Sequence, residues 1–258
     1  MRESALRRIW KQGGCVLNGW LAMPDSFSAE IMAHQGWDSL CIDVQHGMVD
    51  FQTAVTMLQA ISTTSVTPLA RVPWNDAGII MKMLDAGAYG IICPMINTRA
   101  DAQRLVATCR YAPQGFRSCG PTRVSFYAGS DYLAKANETI AVFAMIETAE
   151  AVSNLDDILS TPGLDAIFIG PNDLAMSLGV SGGLVPSDTK VAQAIEQILA
   201  GCKRHGVKAG IHTGSAANAR AMIAKGFDFV TVLSDARILA AAAQSLVAEI
   251  RAAATAAK

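Results

Sequence analysis

The chain has 258 residues, of which 51% are hydrophobic and 17% charged, and its formal net charge at pH 7 is −1. This composition can supply one sizeable core, which excludes an intrinsically disordered protein. The near-zero charge provides no broad basic surface for nucleic acid. Neither a basic amphipathic stretch nor an uninterrupted run of about 18 apolar residues indicates a membrane protein. We therefore expect a compact domain that acts on a small molecule, with no nucleic-acid and no membrane partner.

The cysteines and the first residues bear on the cellular compartment. The N-terminal segment mixes both charges and lacks the apolar core of a secretion signal. The six cysteines form no Cys-x-x-Cys pair, and most lie within apolar runs, as small buried side chains do. We expect a reducing, cytoplasmic location and no structural disulfide bond.

Short apolar runs alternate along the chain with longer segments of helical periodicity, and Gly or Pro stands at many of the junctions. The predicted strands are Cys15–Ala22, Ser39–Asp43, Thr67–Val72, Gly90–Pro94, Ala141–Glu147, Ala166–Gly170, Lys208–His212 and Phe227–Leu233. The predicted helices cover 28–35, 51–61, 76–86, 98–109, 148–160, 190–205, 215–225 and 235–256. Eight units of about 30 residues predict one domain over 1–258, a closed (β/α)8 TIM barrel. An open doubly wound sheet is the alternative, but its Gly-x-Gly-x-x-Gly phosphate loop is not in the sequence.

Two segments depart from this regular alternation. The connection Tyr111–Ala136 is rich in Gly, Ser and Pro, and its length predicts a functional lid or a mobile segment. Its arginines, Arg117 and Arg123, are expected to be solvated or ion-paired rather than catalytic. The last helix, Asp235–Lys258, is rich in alanine and buries little on its own, so we expect it to pack against another subunit.

Polar residues follow four of the predicted strands. Asp43 ends the second strand and His46 comes three residues later, while Arg71 stands at the end of the third strand. Glu147 and Asp173 stand at the ends of the fifth and sixth strands. Because catalytic groups of a TIM barrel lie at the carboxyl ends of its strands, these residues predict a single site.

Glu147 and Asp173 offer two carboxylates at neighbouring strand ends. Oxygen ligands with room for water suit Mg²⁺, Mn²⁺ or a similar divalent ion. In the alternative interpretation, Glu147 caps the helix that follows it, and Asp173 is a turn residue in Gly-Pro-Asn-Asp.

His46 and Arg71 are the candidates for acid–base and charge stabilisation. A carboxylate near His46, such as Asp43, would orient the imidazole and raise its basicity, although a histidine in a Gly-terminated turn is often a plain loop residue. The Arg71 guanidinium needs an anion, which is either an internal carboxylate (Asp43 or Glu147) or a substrate carboxylate or enolate oxygen. His212 also ends a strand, but nothing near it in the sequence supports a role.

These groups fit aldol chemistry on 2-oxo acids. A divalent ion bound to a 2-oxo acid acidifies the neighbouring methyl group, a base removes a proton, and the enolate attacks an aldehyde. In reverse, the same site cleaves a 4-hydroxy-2-oxo acid. A Schiff-base aldolase needs a lysine at a strand end, whereas Lys208 opens the seventh strand.

Eight short segments occur in order along the chain: Asp43-Val-Gln-His46-Gly, Leu69-Ala-Arg71-Val-Pro-Trp-Asn75-Asp, Leu84-Asp85-Ala-Gly, Pro94-Met, Arg110-Tyr-Ala-Pro-Gln-Gly115, Asp131-Tyr-Leu-Ala-Lys-Ala-Asn137, Ile146-Glu147-Thr and Ile169-Gly170-Pro-Asn-Asp173-Leu. Together they resemble the metal-dependent pyruvate aldolases of the 4-hydroxy-2-oxoheptanedioate aldolase family over about residues 15–235. The resemblance implies a TIM barrel of the phosphoenolpyruvate/pyruvate superfamily and a divalent ion (Mg²⁺, Mn²⁺ or Co²⁺). It also implies a homo-hexamer of dimers that exchange a C-terminal helix.

The resemblance also assigns roles to individual residues. Glu147 and Asp173 resemble the metal-binding carboxylates of the family. Arg71 resembles the arginine beside the keto oxygen, His46 resembles the acid–base histidine, and Asp43 would orient this region.

Further roles concern the donor and the neighbouring subunit. Asp85 resembles an aspartate that reaches the site of an adjacent subunit. The backbone N–H groups of Asn172, Asp173 and Leu174 would receive the donor carboxylate at the start of a helix, where anions are favoured.

Two positions depart from the family pattern. Gln45 replaces a glutamate that often precedes the histidine, which removes a negative charge beside His46. Met145 replaces a common glutamine and, by strand alternation, shares a face with Glu147, so we expect it to line the floor of the substrate pocket.

The resulting hypothesis is a class II aldolase that uses pyruvate or hydroxypyruvate as donor and an aldehyde as acceptor. One alternative is a lyase for acyl-CoA hydroxyacids on the same barrel, which would need a long basic groove that the sequence does not indicate. The other is a non-catalytic 2-oxo-acid-binding protein, an alternative prompted by Gln45 and Met145.

Overall fold

Eight parallel strands form a closed barrel in the computed structural model, which describes residues 1–183 and 188–256, with side chains as far as residue 253. Each strand pairs with the next one along the chain, and the eighth pairs with the first. The strands are β1 (Val16–Leu21), β2 (Ser39–Asp43), β3 (Thr67–Arg71), β4 (Gly90–Cys93), β5 (Ala141–Ile146), β6 (Ala166–Ile169), β7 (Lys208–Thr213) and β8 (Phe229–Val232). The predicted (β/α)8 barrel is therefore confirmed, and the open sheet is not formed.

Helices occupy the connections between the strands. They are α1 (Ala5–Lys11), α2 (Ser26–Ala33), α3 (Phe51–Ile61), α4 (Ala77–Ala86), α5 (Arg99–Cys109), α6 (Arg123–Ala128), α7 (Tyr132–Thr139), α8 (Ala149–Ser153), α9 (Leu155–Leu159), α10 (Pro171–Ser177), α11 (Thr189–His205), α12 (Ala216–Lys225) and α13 (Asp235–Ala256). No helix of residues 1–183 and 188–256 is long and apolar enough to cross a membrane. The last two residues of the predicted final helix lie outside the described residues.

Alternation along each strand divides the core into two layers. In β5, Val142 and Ala144 pack outward against the helices, whereas Phe143 and Met145 pack inside the barrel. The inner layer is rich in aromatic rings, with Phe143 5.0 Å from Phe229 between ring centroids. The same alternation makes the residue after β5, Glu147, point toward the barrel axis.

Helix α1 closes the amino-terminal end of the barrel and was not among the predicted helices. Leu6 and Trp10 are buried within the inner layer, and the Trp10 ring lies 5.7 Å from Phe143. The Trp10 indole N–H donates to the backbone oxygen of Asp228 at 2.9 Å. With this end closed, the inside of the barrel is accessible from the carboxyl ends of the strands.

Three connections differ from the predictions, of which the one after β6 contains the unpredicted helix α10. The segment Tyr111–Ala136 contains α6 and the start of α7, and it joins the end of α5 to the start of β5. Because helix-to-strand connections of a barrel lie at the amino-terminal end, it is not a lid over the site of its own chain. The helix predicted over 148–160 is interrupted at Asn154 and forms α8 and α9.

Candidate active site

A cavity of about 300 Å³ opens at the carboxyl ends of the strands. Its lining residues belong to seven of the eight strands or to the connections that follow those strands. Its lining residues are Trp20, Ala22, Asp43, His46, Arg71, Met145, Phe168, Gly170, Pro171, Asn172, Asp173, His212, Ser234 and Arg237. The strand-end residues predicted from the sequence therefore share one site, with Glu147 buried directly beneath Gly170.

Asp43 and Arg71 form a bidentate ion pair inside this cavity. Arg71 Nε donates to Asp43 Oδ1 at 2.9 Å, and Nη2 donates to Oδ2 at 2.6 Å. Trp20 Nε1 donates to the same Oδ2 at 3.0 Å. Although burial opposes it, these hydrogen bonds and the Arg71 charge hold the pKa of Asp43 below its usual value. The pair fixes the guanidinium plane, and Arg71 Nη1 has no acceptor among the described residues.

The loop after β2 carries His46 at the edge of the cavity. Asp43 Oδ1 accepts hydrogen bonds from the backbone N–H groups of Gln45 and His46, each at 3.1 Å. Asp43 therefore positions the loop through its backbone rather than through the imidazole ring. Gly47 is required here, because a Cβ would lie 2.3 Å from the Asp43 carbonyl oxygen. The Gln45 side-chain oxygen is buried without a hydrogen-bond partner.

Glu147 lies at the bottom of the site and is only 3% exposed. Its Oε1 accepts a hydrogen bond of 2.8 Å from the backbone N–H of Met95. Met95, two residues after the end of β4, has φ of 55°, an uncommon conformation for a non-glycine residue. A Cβ on Gly170 would lie 2.7 Å from Glu147 Oε2, so both neighbouring strand ends constrain this carboxylate.

Asp173 and Asn172 stand in the first turn of α10, exposed at the cavity. The first amides of a helix lack an acceptor one turn earlier, so the N–H groups of Asn172 and Asp173 are available to an anion. The Leu174 N–H donates to Gly170 O at 3.0 Å, and its side chain is fully buried. The structure thus gives no support to Leu174 as a ligand of the donor carboxylate.

The two carboxylates fit a hard divalent cation. Burial raises the pKa of Glu147 to about 7; the Met95 N–H opposes the shift, and the negative charge of Asp173 adds to it. A cation between the two carboxylates would offset both unfavourable effects. No cluster of three or more His, Cys, Asp or Glu side chains able to hold a metal occurs within residues 1–183 and 188–256. The protein would supply two oxygen ligands and leave the other positions to water and substrate, as Mg²⁺ sites often do.

Apolar side chains form the floor of the cavity. Met145 is 1% exposed and lines it, as predicted. The Trp20 and Phe168 rings stack at a centroid distance of 5.5 Å with planes 11° apart. The Arg71 guanidinium lies 4.8 Å above the Trp20 ring. This floor excludes water from one side of the pocket and provides contact area for a carbon chain.

Three further residues line the cavity that were not predicted from the sequence: His212, Ser234 and Arg237. The His212 ring contacts Trp20 edge-on at a centroid distance of 5.4 Å. Burial, with the positive charges of Arg71 and Arg237, lowers the pKa of His212 to about 4, so the ring is neutral at pH 7. The position of His212 at the end of a strand was a signal for the site, whereas Arg237 lies inside a predicted helix and gave none.

Asp85 lies away from this cavity. It is the penultimate residue of α4, which leads into the amino-terminal end of β4. Its Oδ1 accepts a 2.6 Å hydrogen bond from the buried Arg117, which also donates to the Tyr132 hydroxyl at 2.9 Å. Within a single chain, Asp85 is at the opposite end of the barrel from Arg71. Arg117 is ion-paired, as expected, and Arg123 instead donates to backbone oxygens, including Ala86 O.

The family model described as "HpcH/HpaI aldolase/citrate lyase" matches residues 18–242. The chain belongs to this family. A hydroxypyruvate/pyruvate aldolase of Rhizorhabdus wittichii is 45% identical over 247 residues, which cover 96% of this chain and 98% of the relative. A 4-hydroxy-2-oxo-heptane-1,7-dioate aldolase of Escherichia coli is 37% identical over 99% of this chain and 98% of the relative.

Solved structures agree with the family assignment. The crystal structure of a family member from Burkholderia cenocepacia has a TM-score of 0.90 and 33% identity, and covers 96% of this chain and 99% of that one. The family predicted from the short motifs is therefore confirmed. The names of the two relatives match the predicted reaction class, aldol cleavage of 2-oxo acids.

Proposed function

We propose that this protein is a divalent-metal-dependent aldolase that cleaves 4-hydroxy-2-oxo acids to pyruvate or hydroxypyruvate and an aldehyde, and also catalyses the reverse addition. The observation that carries the proposal is the juxtaposition of the buried Glu147 and of Asp173 with the Asp43–Arg71 pair in one cavity. The names of the relatives support the same reaction.

Glu147 and Asp173 would hold a metal ion that supplies Lewis-acid chemistry. Such an ion lowers the pKa of the C–H bonds next to the keto group of a 2-oxo acid. The donor carboxylate would accept hydrogen bonds from the Asn172 and Asp173 amides at the start of α10. This placement would direct the keto group toward Arg71, which lines the same cavity.

Arg71 would stabilise the developing negative charge on the keto oxygen. Nε and Nη2 are bound to Asp43, so the guanidinium cannot rotate, and Nη1 is free to donate. A donor that is already oriented needs no reorganisation when the charge forms. Neighbouring Trp20 supports the guanidinium from one face.

His46 would move the proton. In cleavage, a base at the cavity edge takes the proton of the 4-hydroxyl group, the bond between C3 and C4 breaks, and the aldehyde leaves. The electron pair of that bond forms the enolate, and a proton delivered to C3 completes pyruvate. His46 is exposed at the edge of the cavity on the loop fixed by Asp43, whereas His212 is half-buried against the Trp20 and Phe168 rings.

We also propose a homo-oligomer in which α13 packs against another copy of the chain. Four large apolar residues of this helix are at least 49% exposed in the single chain: Leu239, Leu246, Val247 and Ile250. Such an apolar stripe on a long helix is typical of a subunit interface. The hexamer and the exchange of this helix between subunits follow from the resemblance. In such an oligomer, the Asp85 side chain at the site would come from a neighbouring copy of the chain.

We likewise propose a cytoplasmic location. All six cysteines are unpaired, and five of them are buried or partly buried. Free thiols of this kind are usual in a reducing compartment.

The test is deuterium exchange at the pyruvate methyl group, followed by NMR with and without Mn²⁺ or Mg²⁺. We expect metal-dependent exchange, and its loss by about 10³-fold in Glu147→Gln, because several kcal/mol of charge stabilisation disappear. Glu150→Gln is the matched control, since Glu150 is exposed on α8. Exchange at hydroxypyruvate alone would identify that donor. Tight 2-oxo-acid binding without any exchange would contradict the proposal and indicate a binding protein.

A further inference from the structure

The cavity has two chemically different sides. The carboxylates and the free α10 amides follow β5 and β6, and they would hold the donor. The opposite side is formed after β7, β8 and β1, which are neighbours in the closed barrel. It contributes His212, Ser234, Arg237 and Trp20. A donor bound at β5 and β6 therefore leaves this second side open to its reaction partner, the aldehyde.

Arg237 carries a positive charge on the acceptor side. No ion pair of its guanidinium with a carboxylate occurs in the part of the chain that the structure describes. The side chain is exposed at the cavity edge, whereas Arg71 is bound to Asp43 deeper inside. The cavity therefore has a second, uncompensated cation that the donor does not need.

The first turn of α13 holds Arg237 in place. Asp235 Oδ1 accepts hydrogen bonds from the backbone N–H of Ala22 at 2.9 Å and of Ala236 at 2.7 Å. Oδ2 accepts one from the Met23 N–H at 3.3 Å. This buried carboxylate ties the start of α13 to the end of β1, and the Arg237 N–H donates to Ser234 Oγ at 3.4 Å. The backbone of Arg237 is thus held at a fixed point of the barrel, from which the side chain extends to the cavity edge.

We propose that Arg237 is a specificity-determining residue that binds a terminal anionic group of the acceptor aldehyde. The inference rests on the proposed aldolase function and deepens it. Between the donor and Arg237, the apolar rings of Trp20 and Phe168 would contact the short carbon chain of the acceptor. The substrate class is then a short aldehyde whose far end carries a carboxylate or a phosphate, since a guanidinium binds both.

The experiment measures charge preference as a ratio. With pyruvate as donor, kcat/KM is determined for 4-oxobutanoate and its methyl ester, and for glyceraldehyde 3-phosphate and glyceraldehyde. We expect Arg237→Met to lower the charged-to-neutral ratio by about tenfold in at least one pair, and Arg237→Glu to lower it further. The pair that responds identifies the anion. Because the site is open to solvent, the preference of the wild type is expected to weaken at high salt.

Arg220→Met is the matched control, because Arg220 is an exposed arginine on α12 that does not line the cavity. Its ratio should equal that of the wild type. A ratio unchanged in Arg237→Met, or lowered equally in Arg220→Met, would overturn the role of Arg237 while leaving the aldolase function intact. Absence of both methyl exchange and turnover in the wild type would instead overturn the proposed function, and the acceptor role of Arg237 with it.

Discussion

Both ends of the barrel contain a buried arginine–aspartate pair, but the two pairs have different surroundings. At the carboxyl end, Arg71 binds Asp43 with two of its nitrogens and has a third without a partner in the described chain. At the amino-terminal end, Arg110 donates to Asp165 at 3.0 Å and also to the backbone oxygens of Ile140 and Gly163. Asp165 in turn accepts from Arg7 as well.

The two pairs have different roles, one in stability and the other at the site. In the Arg110 pair, both terminal nitrogens of the arginine donate to protein oxygens, and with Arg7 the pair connects α1, the end of α5 and the start of β5. The Arg71 pair lines a cavity near Glu147 and Asp173, neither of which forms an ion pair within residues 1–183 and 188–256. The same two side chains therefore serve stability where protein oxygens take both terminal nitrogens of the arginine, and chemistry where one terminal nitrogen is left for a ligand.

At the cavity, a substitution that keeps the positive charge of Arg71 tests whether the geometry of its ion pair matters. Arg71→Lys keeps the charge but removes the planar bidentate pair, so the ammonium cannot be held by Asp43 and reach the substrate together. We expect methyl exchange to fall by about 10²-fold, with a free energy of unfolding near that of the wild type. A lysine variant with full exchange would show that charge alone suffices and that the geometry of the pair is unimportant.

A substitution in the Arg110 pair, at the amino-terminal end of the barrel, should instead lower the free energy of unfolding. Arg110→Met leaves Asp165 with Arg7 as its remaining side-chain partner and removes two hydrogen bonds to backbone oxygens. We expect the free energy of unfolding in urea to fall by about 2–4 kcal/mol, with exchange per folded molecule retained. If exchange fell while stability did not, the separation between the two ends would be wrong.

Gly170→Ala tests how tightly Glu147 is positioned. The φ of Gly170 is −96°, so alanine causes no backbone strain there, but its Cβ would lie 2.7 Å from Glu147 Oε2. Displacing a metal ligand in this way should weaken the apparent affinity for Mn²⁺ by about tenfold. Gly120→Ala is the control, because a Cβ at Gly120 contacts nothing within 4 Å. Equal Mn²⁺ affinities of the two variants would contradict the tight positioning of Glu147.

A smaller effect is expected on the pH dependence of the free energy of unfolding. The pKa of His212 is lowered to about 4 in the folded chain by burial and by Arg71 and Arg237, from 6.5 in the unfolded chain. Its contribution to stability is therefore present above pH 6.5 and is lost as the pH falls toward 4. His212→Gln should reduce this acid destabilisation by about 1 kcal/mol in urea titrations at several pH values, whereas the exposed His34→Gln should not. Identical pH profiles for the wild type and His212→Gln would show that His212 carries no such penalty.

The short apolar runs in the sequence correctly predicted the strands, and with them the polar residues at the strand ends. The β2 bounds Ser39–Asp43 were predicted exactly as observed, and those of the other strands differ by one or two residues. Helices α1 and α10 were missed because both are seven-residue helices, too short to show a clear apolar period. The segment that joins α5 to β5 was misinterpreted because Gly, Ser and Pro content predicts irregular backbone but not the end of the barrel at which it lies.

By itself, the sequence determined the eightfold alternation, the two carboxylates and the Asp43, His46 and Arg71 set, because each of these depends on residues within one strand and the turn after it. The tertiary structure decided which of those residues share a cavity and which others join them. Closure of the barrel places β8 beside β1, so Arg237 and Trp20, more than 200 positions apart, line the same pocket. The burial that neutralises His212 likewise arises only when distant strands meet, and the register of the neighbouring strands β2 and β3 decides that Asp43 is the partner of Arg71.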